Sequence, residues 1–515
     1  MATSNPSHRP QNVNLLMYAT VFVTGAAIMT IELLGTRIIA PFYGASLYIW
    51  TSLISVTMIA LAAGYFVGGR WADRTRNGRL PWIIGLAGLT TLAVPLLSRW
   101  VLPLTDPLGL RLGGFTSALL LFFPCLSLLG MVSPIAIKLA TDRLAGVGTS
   151  AGTLYAVSTV GSVIGTLALG FFLFPAWGSR AILSSTGIVL LVLALLLEWV
   201  FNRRPRHLVF GLAVLAFIGL YLFTEKHAQP ESSSHGYRVL SEQESLYGWV
   251  RVLDNPGRNL RLLSSDASVI GAASIDTGTN RLGYQTIVAM IPKLSPVKIR
   301  RALLIGQGAG HMATVLYEHD GIVTDTLEID PAVATAATRF FGFRPSGQAR
   351  VADARHAIRG LKGPYDLIIH DCFTGGSEPT HLLSKEVFET LQGLLAPEGL
   401  LALNYVSFTT PGLHQALASV AKTVMSVFAH MQVYVSEPGP DFNDFVMIAS
   451  RQPLSDAALQ ANERMWLQAR RFDLDYSQGV LLTDDFNPLE SLQLAKAERY
   501  RALVREWLGE ELMLR

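Results

Sequence analysis

Glycine, glutamate and aspartate recur along the second half of this chain at spacings that suit a nucleoside. Leu303-Leu304-Ile305 runs into Gly306-Gln307-Gly308-Ala309-Gly310, and Glu328-Ile329 closes the next apolar run, with Glu328 18 residues past Gly310. Glycines let a backbone turn tightly and approach a ligand with no Cβ in the way, and an acid roughly 20 residues further on grips ribose hydroxyls. Asp353-Ala354 ends a third apolar run and Asp371 a fourth, Tyr365 to His370. Three acids at strand ends hold ribose, read an adenine amine and face a cationic centre; a sulfonium fits that charge and a pyrophosphate is repelled. His311, just inside the helix after the glycines, is placed to approach such a ligand. Cys372 reads as a small packed residue and His370 as structural. The only other cysteine is Cys125, which excludes a disulfide framework, and no zinc spacing exists, so no metal is expected.

Strands must carry these residues to one place. Runs at Ala302 to Ile305, Thr326 to Ile329, Ala349 to Ala352, Leu367 to His370 and Leu400 to Tyr405 alternate with helix-length segments, which predicts an α/β, Rossmann-like parallel sheet with helices on both faces. Met431 to Ser436 and Phe445 to Ser450 flank Pro438-Gly439-Pro440 as a closing hairpin. Before the sheet, Trp249 to Leu253 and Leu260 to Ser264 form a smaller hairpin around Asn255-Pro256-Gly257.

The first 224 residues follow another rule. The chain is 50% hydrophobic and 15% charged, with a mean hydropathy of +0.37, where a soluble domain carries about 25% charged residues. Apolar stretches of bilayer-crossing length lie near Leu15 to Ile39, Leu47 to Gly69, Leu80 to Leu97, Phe115 to Ala140, Ser150 to Pro175, Ala181 to Phe201 and Leu208 to Phe223. The segmentation is therefore a helical membrane domain of about seven spans over 1–224, a linker over 225–240 and a nucleoside-binding domain over 241–515. Glycines from Gly152 to Gly170 recur on faces that permit close helix contact. Basic residues favour the loops on the N-terminal side, ten against four, which puts the N-terminus in the cytoplasm of a bacterial-type inner membrane. An odd span count would then put the nucleoside domain outside, and its side stays open. Gly68 to Arg79 resembles the loop between the second and third helices of major-facilitator transporters, and Glu32 and Arg37 are ionisable groups within or beside the first span. A net charge of +3 with no lysine-arginine run gives no support to a nucleic-acid partner. The expected partners are a small nucleoside, a polyamine and the lipid bilayer, with homo-oligomerisation open.

From Tyr247 to Ser450, and in Thr483-Asp484-Asp485-Phe486-Asn487-Pro488, the chain resembles the spermidine synthase (polyamine aminopropyltransferase) family, in its branch fused to a transporter-like membrane half. The resemblance implies that Gly306, Gln307, Gly308, Gly310, Glu328, Ile329, Asp353 and Ala354 bind S-adenosylmethionine or its decarboxylated form as co-substrate, with no prosthetic group. It implies that Asp371 is the base for the attacking amine. Tyr247, Asp266, Tyr284, Gln285 and Asp484 are the expected acceptor-binding residues, with acids such as Asp266, Asp484 or Asp485 standing in for the family's acceptor anchors. Soluble members carry an acid where Ala309 stands, another where Thr374 stands, and Tyr-His-Glu where this chain has Tyr284-Gln285-Thr286. Three functions follow as expectations: aminopropyl transfer to a diamine such as putrescine; another reaction of S-adenosylmethionine, either methyl transfer or an intramolecular displacement or elimination releasing methylthioadenosine; or a transporter or sensor that only binds the nucleoside.

Overall fold

The computed structural model describes residues 11–74, 79–140, 147–201, 211, 218–219, 233, 235–373 and 376–514. Two compact units divide the chain, Met1–Pro230 with Leu514–Arg515, and Glu231–Met513. In the first, helices α1 (Gln11–Tyr43), α2 (Leu47–Arg74), α3 (Leu80–Thr105), α4 (Gly109–Gly130), α5 (Val132–Ala140), α6 (Val147–Ala168) and α7 (Ser179–Phe201) form a bundle. Among the described residues, five helical runs are long and apolar enough to cross a membrane: Leu15–Tyr43, Leu47–Arg74, Leu80–Ala140, Val147–Leu173 and Ser179–Phe201. The 61-residue run Leu80–Ala140 holds two of the expected spans, broken by a tight turn at Asp106–Leu108, and the expected Phe115 to Ala140 span is itself interrupted at Met131. The seventh expected span, Leu208 to Phe223, lies almost wholly outside the described residues, as does most of the expected linker.

Small residues set the closest packing of this unit. A Cβ on Gly161 of α6 would stand 2.2 Å from the Phe22 carbonyl oxygen of α1, one on Gly25 2.3 Å from that of Ser158, and Ser162 Oγ donates to the Gly25 carbonyl at 3.0 Å. Gly152 and Gly170 have open space instead, so the glycine repeat serves this contact only over part of its length. Arg37 rests its guanidinium over the Phe174 ring at 5.4 Å, and Lys138 pairs with Asp73 at 3.6 Å on the exposed surface.

The second unit opens with an antiparallel sheet in the order β1 (Arg238–Glu244), β2 (Trp249–Asn255), β3 (Leu260–Ser265) and β4 (Ser268–Ala273). Strand β1 begins inside the expected linker. The expected hairpin is β2 with β3, turned through Pro256–Arg258, where Asn255 Oδ1 accepts the Arg258 N–H at 3.1 Å. The main sheet has seven strands in the order β10-β11-β9-β8-β5-β6-β7. β5 (Arg301–Ile305), β6 (Val323–Glu328), β7 (Ala349–Val351), β8 (Tyr365–His370) and the start of β9 (Leu395–Phe408) pair in parallel, while β10 (His430–Val435) and β11 (Phe442–Ser450) add antiparallel. This is a Rossmann-like sheet in which β11, next to the edge strand β10, alone runs reversed.

Continuous apolar runs form these strands because both faces are covered. Leu303, Ile305, Ile368, Leu401 and Leu403 point to one layer with Phe388, Leu391 and Val420. Their neighbours Ala302, Leu304, Leu367, Ile369 and Ala402 point to the other, against Ile287, Met312 and Leu316. Chain order reverses between β5 and β8, both of which extend from the sheet centre, so their carboxyl ends open the crevice where such sheets bind ligands.

Candidate active site

At that crevice lies a cavity of about 350 Å³. Gly306, at φ +87°, leaves β5 against the end of β8: a Cβ there would stand 2.1 Å from the Asp371 carbonyl oxygen. Asp371 N–H donates to the Ile305 carbonyl at 2.8 Å, and the Gly306 N–H to that of Leu327 at 3.0 Å. Turn and acid are therefore held as one piece of backbone, with the glycine required by contact as well as by φ. Glu328, buried at the end of β6, accepts the Gly308 N–H at 3.2 Å and the Asp330 N–H at 3.0 Å. Burial lifts its carboxyl to about 7, an effect those two N–H donors oppose. Asp330 caps helix α10 (Pro331–Phe340) through the Ala332 N–H at 2.8 Å and accepts the Ser245 hydroxyl at 2.6 Å, tying the small sheet to the large one beside the cavity.

Asp371 is the best-supported acid of the site. Tyr284, the first residue of helix α8 (Tyr284–Leu294), donates its phenol to Asp371 Oδ2 at 2.8 Å, and Asn404 of β9 donates its amide to Oδ1 at 3.0 Å. Burial raises the Asp371 carboxyl and the two donors pull it back toward the ionised form. The Tyr284 phenol is pushed far above its ordinary range, first by burial and then by the Asp371 charge, so it stays a donor. Burial first, then the charges of Glu328, Asp371 and Asp353, push the Cys372 thiol far above its ordinary range and keep it protonated. Asp444, from the reversed strand β11, lines the same wall and lies against Asn404; burial and the nearby charges of Asp371 and Glu378 push it up to about 7. Behind Val406 and Phe373 of that wall, Glu378 and Lys496, each 2% exposed, form an ion pair. Glu378 also accepts the Val406 N–H at 2.9 Å, and the Lys496 ammonium stands 3.9 Å from the centre of the Tyr405 ring.

Of the expected site residues, Gly306, Gly308, Glu328, Ile329, Asp353, Ala354, Tyr247, Tyr284 and Asp371 line the cavity. Asp353 caps its short helix through the His356 N–H at 2.9 Å. Five expected site residues stand elsewhere. Gln307 is buried beneath the turn, where its side-chain oxygen accepts the Thr326 hydroxyl at 3.2 Å. Gly310 starts helix α9 (His311–Asp320) where a Cβ would meet the Phe343 ring at 2.3 Å. Gln285 reaches only the Tyr284 phenol, at 3.3 Å. Asp266 is consumed by the β3 to β4 turn, accepting the Trp249 N–H at 2.9 Å, and Asp484 pairs with Arg355 and accepts the Ser384 hydroxyl at 2.6 Å. His311 also misses the cavity, its ring meeting Phe341 edge-on, and His370 is a buried neutral ring at the Leu382 carbonyl, 3.2 Å away, with burial lowering it to about 4. Ala309 packs beneath the small sheet with Val250, Val252 and Leu263, an apolar place with no use for an acid. Thr374 lies outside the described residues. The wall residues that sequence spacing missed are Asn404, Asp444, Phe373, Tyr500 and Trp507; a carboxylate inside the apolar run of β11 was the available signal for Asp444.

No family model matches the chain. A polyamine aminopropyltransferase of Vibrio vulnificus is 29% identical over 278 residues, 50% of this chain and 91% of that protein. Polyamine aminopropyltransferase 1 of Streptomyces coelicolor is 22% identical over 485 residues, 87% of this chain and 86% of its own, a match that takes in much of the helical unit. The C-terminal half is homologous to the polyamine aminopropyltransferases. An N-terminal histidine N-methyltransferase of Emericella nidulans is 30% identical over 241 residues, and this chain spans only 42% of its length. A spermidine synthase solved with the transition-state analogue AdoDATO aligns with 55% of this chain and 99% of its own at 18% identity, with a TM-score of 0.38.

Proposed function

We propose that this protein transfers an aminopropyl group from decarboxylated S-adenosylmethionine to a diamine, with putrescine giving spermidine and methylthioadenosine. The reading rests on one observation: Asp371, held on both oxygens by Tyr284 and Asn404, shares a cavity with Glu328 across the Gly306 turn. In this reading Glu328 accepts the ribose hydroxyls, Asp353 and Ala354 border the adenine, and Tyr247 and Tyr284 face the acceptor. The amine nitrogen attacks the carbon beside the sulfonium, the C–S bond breaks with its electron pair passing to sulfur, and the nitrogen's proton passes to Asp371. Tyr284 and Asn404 hold the carboxylate so that its reach to the nitrogen is fixed in advance. In this reading the enzyme is membrane-bound, supported by the length and apolar composition of the helices of the first unit.

A second reading, methyl transfer from S-adenosylmethionine, draws on the likeness to the fungal histidine methyltransferase. The purified full chain, given each sulfonium donor with and without putrescine, separates them: amine-dependent methylthioadenosine supports the first, S-adenosylhomocysteine the second. Asp371→Asn is expected to keep methylthioadenosine binding and to lower turnover by at least about 100-fold, in the range for loss of a positioned base. Unchanged turnover would remove Asp371 from the base role.

A further inference from the structure

The acids expected to hold the acceptor, Asp266 and Asp484, are spent on a turn and on Arg355, so another group must receive the amine if the chain transfers to one. The remaining acid of the cavity wall beside Asp371 is Asp444. Asp371 and Asp444 flank the same Asn404 amide, one on the parallel half of the sheet and one on the reversed strand. Asn404 Oδ1 is buried with no donor among the described residues. Two carboxyls thus line one wall of the cavity on either side of the Asn404 NH2, a pair of acceptors, and an ammonium brings three N–H donors and a positive charge. Glu378 does not compete for it, because Lys496 already neutralises that carboxylate from behind the wall.

We infer that Asp444 is the acceptor-holding residue of this site: it receives the ammonium of the nitrogen that will attack and sets it beside Asp371, which takes one of its protons and so frees the lone pair for attack. The inference rests on the aminopropyl-transfer reading and adds to it a specificity residue that the spacing of the glycine turn and strand-end acids does not include. With Asp371 as base and Asp444 as anchor, the two acids divide the work on one nitrogen, the anchor acting in binding and the base in transfer.

Calorimetric titration of the detergent-solubilised full chain, loaded with methylthioadenosine, with putrescine and then with n-butylamine tests this. Asp444→Asn is expected to weaken both amines by at least about tenfold, to raise the putrescine KM more than it lowers kcat, and to leave methylthioadenosine affinity alone; Asp444→Glu should recover part of the loss. Equal putrescine affinity in Asp444→Asn and wild type, or no saturable amine binding by the wild type, overturns the inference. So does a loss confined to putrescine, which would move Asp444 to the far nitrogen. The two readings fail separately. Amine binding that depends on Asp444 without aminopropyl transfer removes the reaction and keeps the anchor, whereas transfer with a putrescine KM indifferent to Asp444→Asn removes the anchor and keeps the reaction.

Discussion

Gly306→Ala tests whether the turn and the base form one unit. The new Cβ would stand 2.1 Å from the Asp371 carbonyl oxygen, 2.7 Å from its carbonyl carbon and 3.2 Å from the Cys372 nitrogen. Ordinary contact needs about 3.5 Å, so either the turn or the Asp371 backbone must move by roughly 1.4 Å. The φ of +87° adds about 1–2 kcal/mol for a side chain in the left-handed region. Gly321, at φ +68° with no atom within 4 Å of a built Cβ, is the matched control, because Gly321→Ala carries the dihedral cost alone. A displacement of about 1 Å at a reacting group costs on the order of 100-fold in rate. Methylthioadenosine release from decarboxylated S-adenosylmethionine and putrescine, with thermal unfolding of the same samples, reads both terms. The expected result is a roughly 100-fold slower folded Gly306→Ala and a Gly321→Ala that loses about 1–2 kcal/mol of stability with little change in rate. Wild-type turnover in Gly306→Ala, or an equal loss in Gly321→Ala, would refute the coupling.

Two further outcomes follow from the buried charges. Glu328 is lifted from 4.5 to about 7, so the folded ligand-free chain keeps a proton that the unfolded chain releases. Its contribution to stability is whole below about 4.5 and lost as pH rises through about 7. Ribose hydroxyls need the ionised carboxylate, so methylthioadenosine should bind about tenfold more weakly at pH 6 than at pH 8, and Glu328→Gln should flatten that dependence in a calorimetric titration. A pH-independent wild-type affinity would contradict it. Lys496→Met leaves Glu378 buried without its partner and should cost about 3–5 kcal/mol in thermal unfolding, most of it recovered when Glu378→Gln is added; a single variant as stable as the double one would count against the pair.

The sequence made the parallel core legible because each of its strands is a short apolar run ending in chemistry. Gly306, Glu328, Asp353 and Asp371 sit at those ends, and chain connectivity alone carries them to one edge of the sheet. The helical half was legible for the same reason, since apolar length is a local property, and the break at Met131 is marked by Gly130 before it and Pro134 after it. Asp266 and Asp484 read as spare acids only while their partners were unseen: Asp266 holds a positive φ in a tight turn, and Arg355, 129 residues before Asp484 in the chain, claims the other.

Composition and spacing by themselves determined a half of long apolar helices and an α/β half with acids at its strand ends, because those features repeat along the chain. Only the tertiary structure decided the other end of the cavity. There, reversal of β11 lays Asp444 against Asn404, the phenol of Tyr284 reaches Asp371 from a helix 87 residues earlier, and Lys496 crosses 118 residues to neutralise Glu378. Contacts made across such separations depend on sheet order and strand direction, which no local pattern of residues encodes.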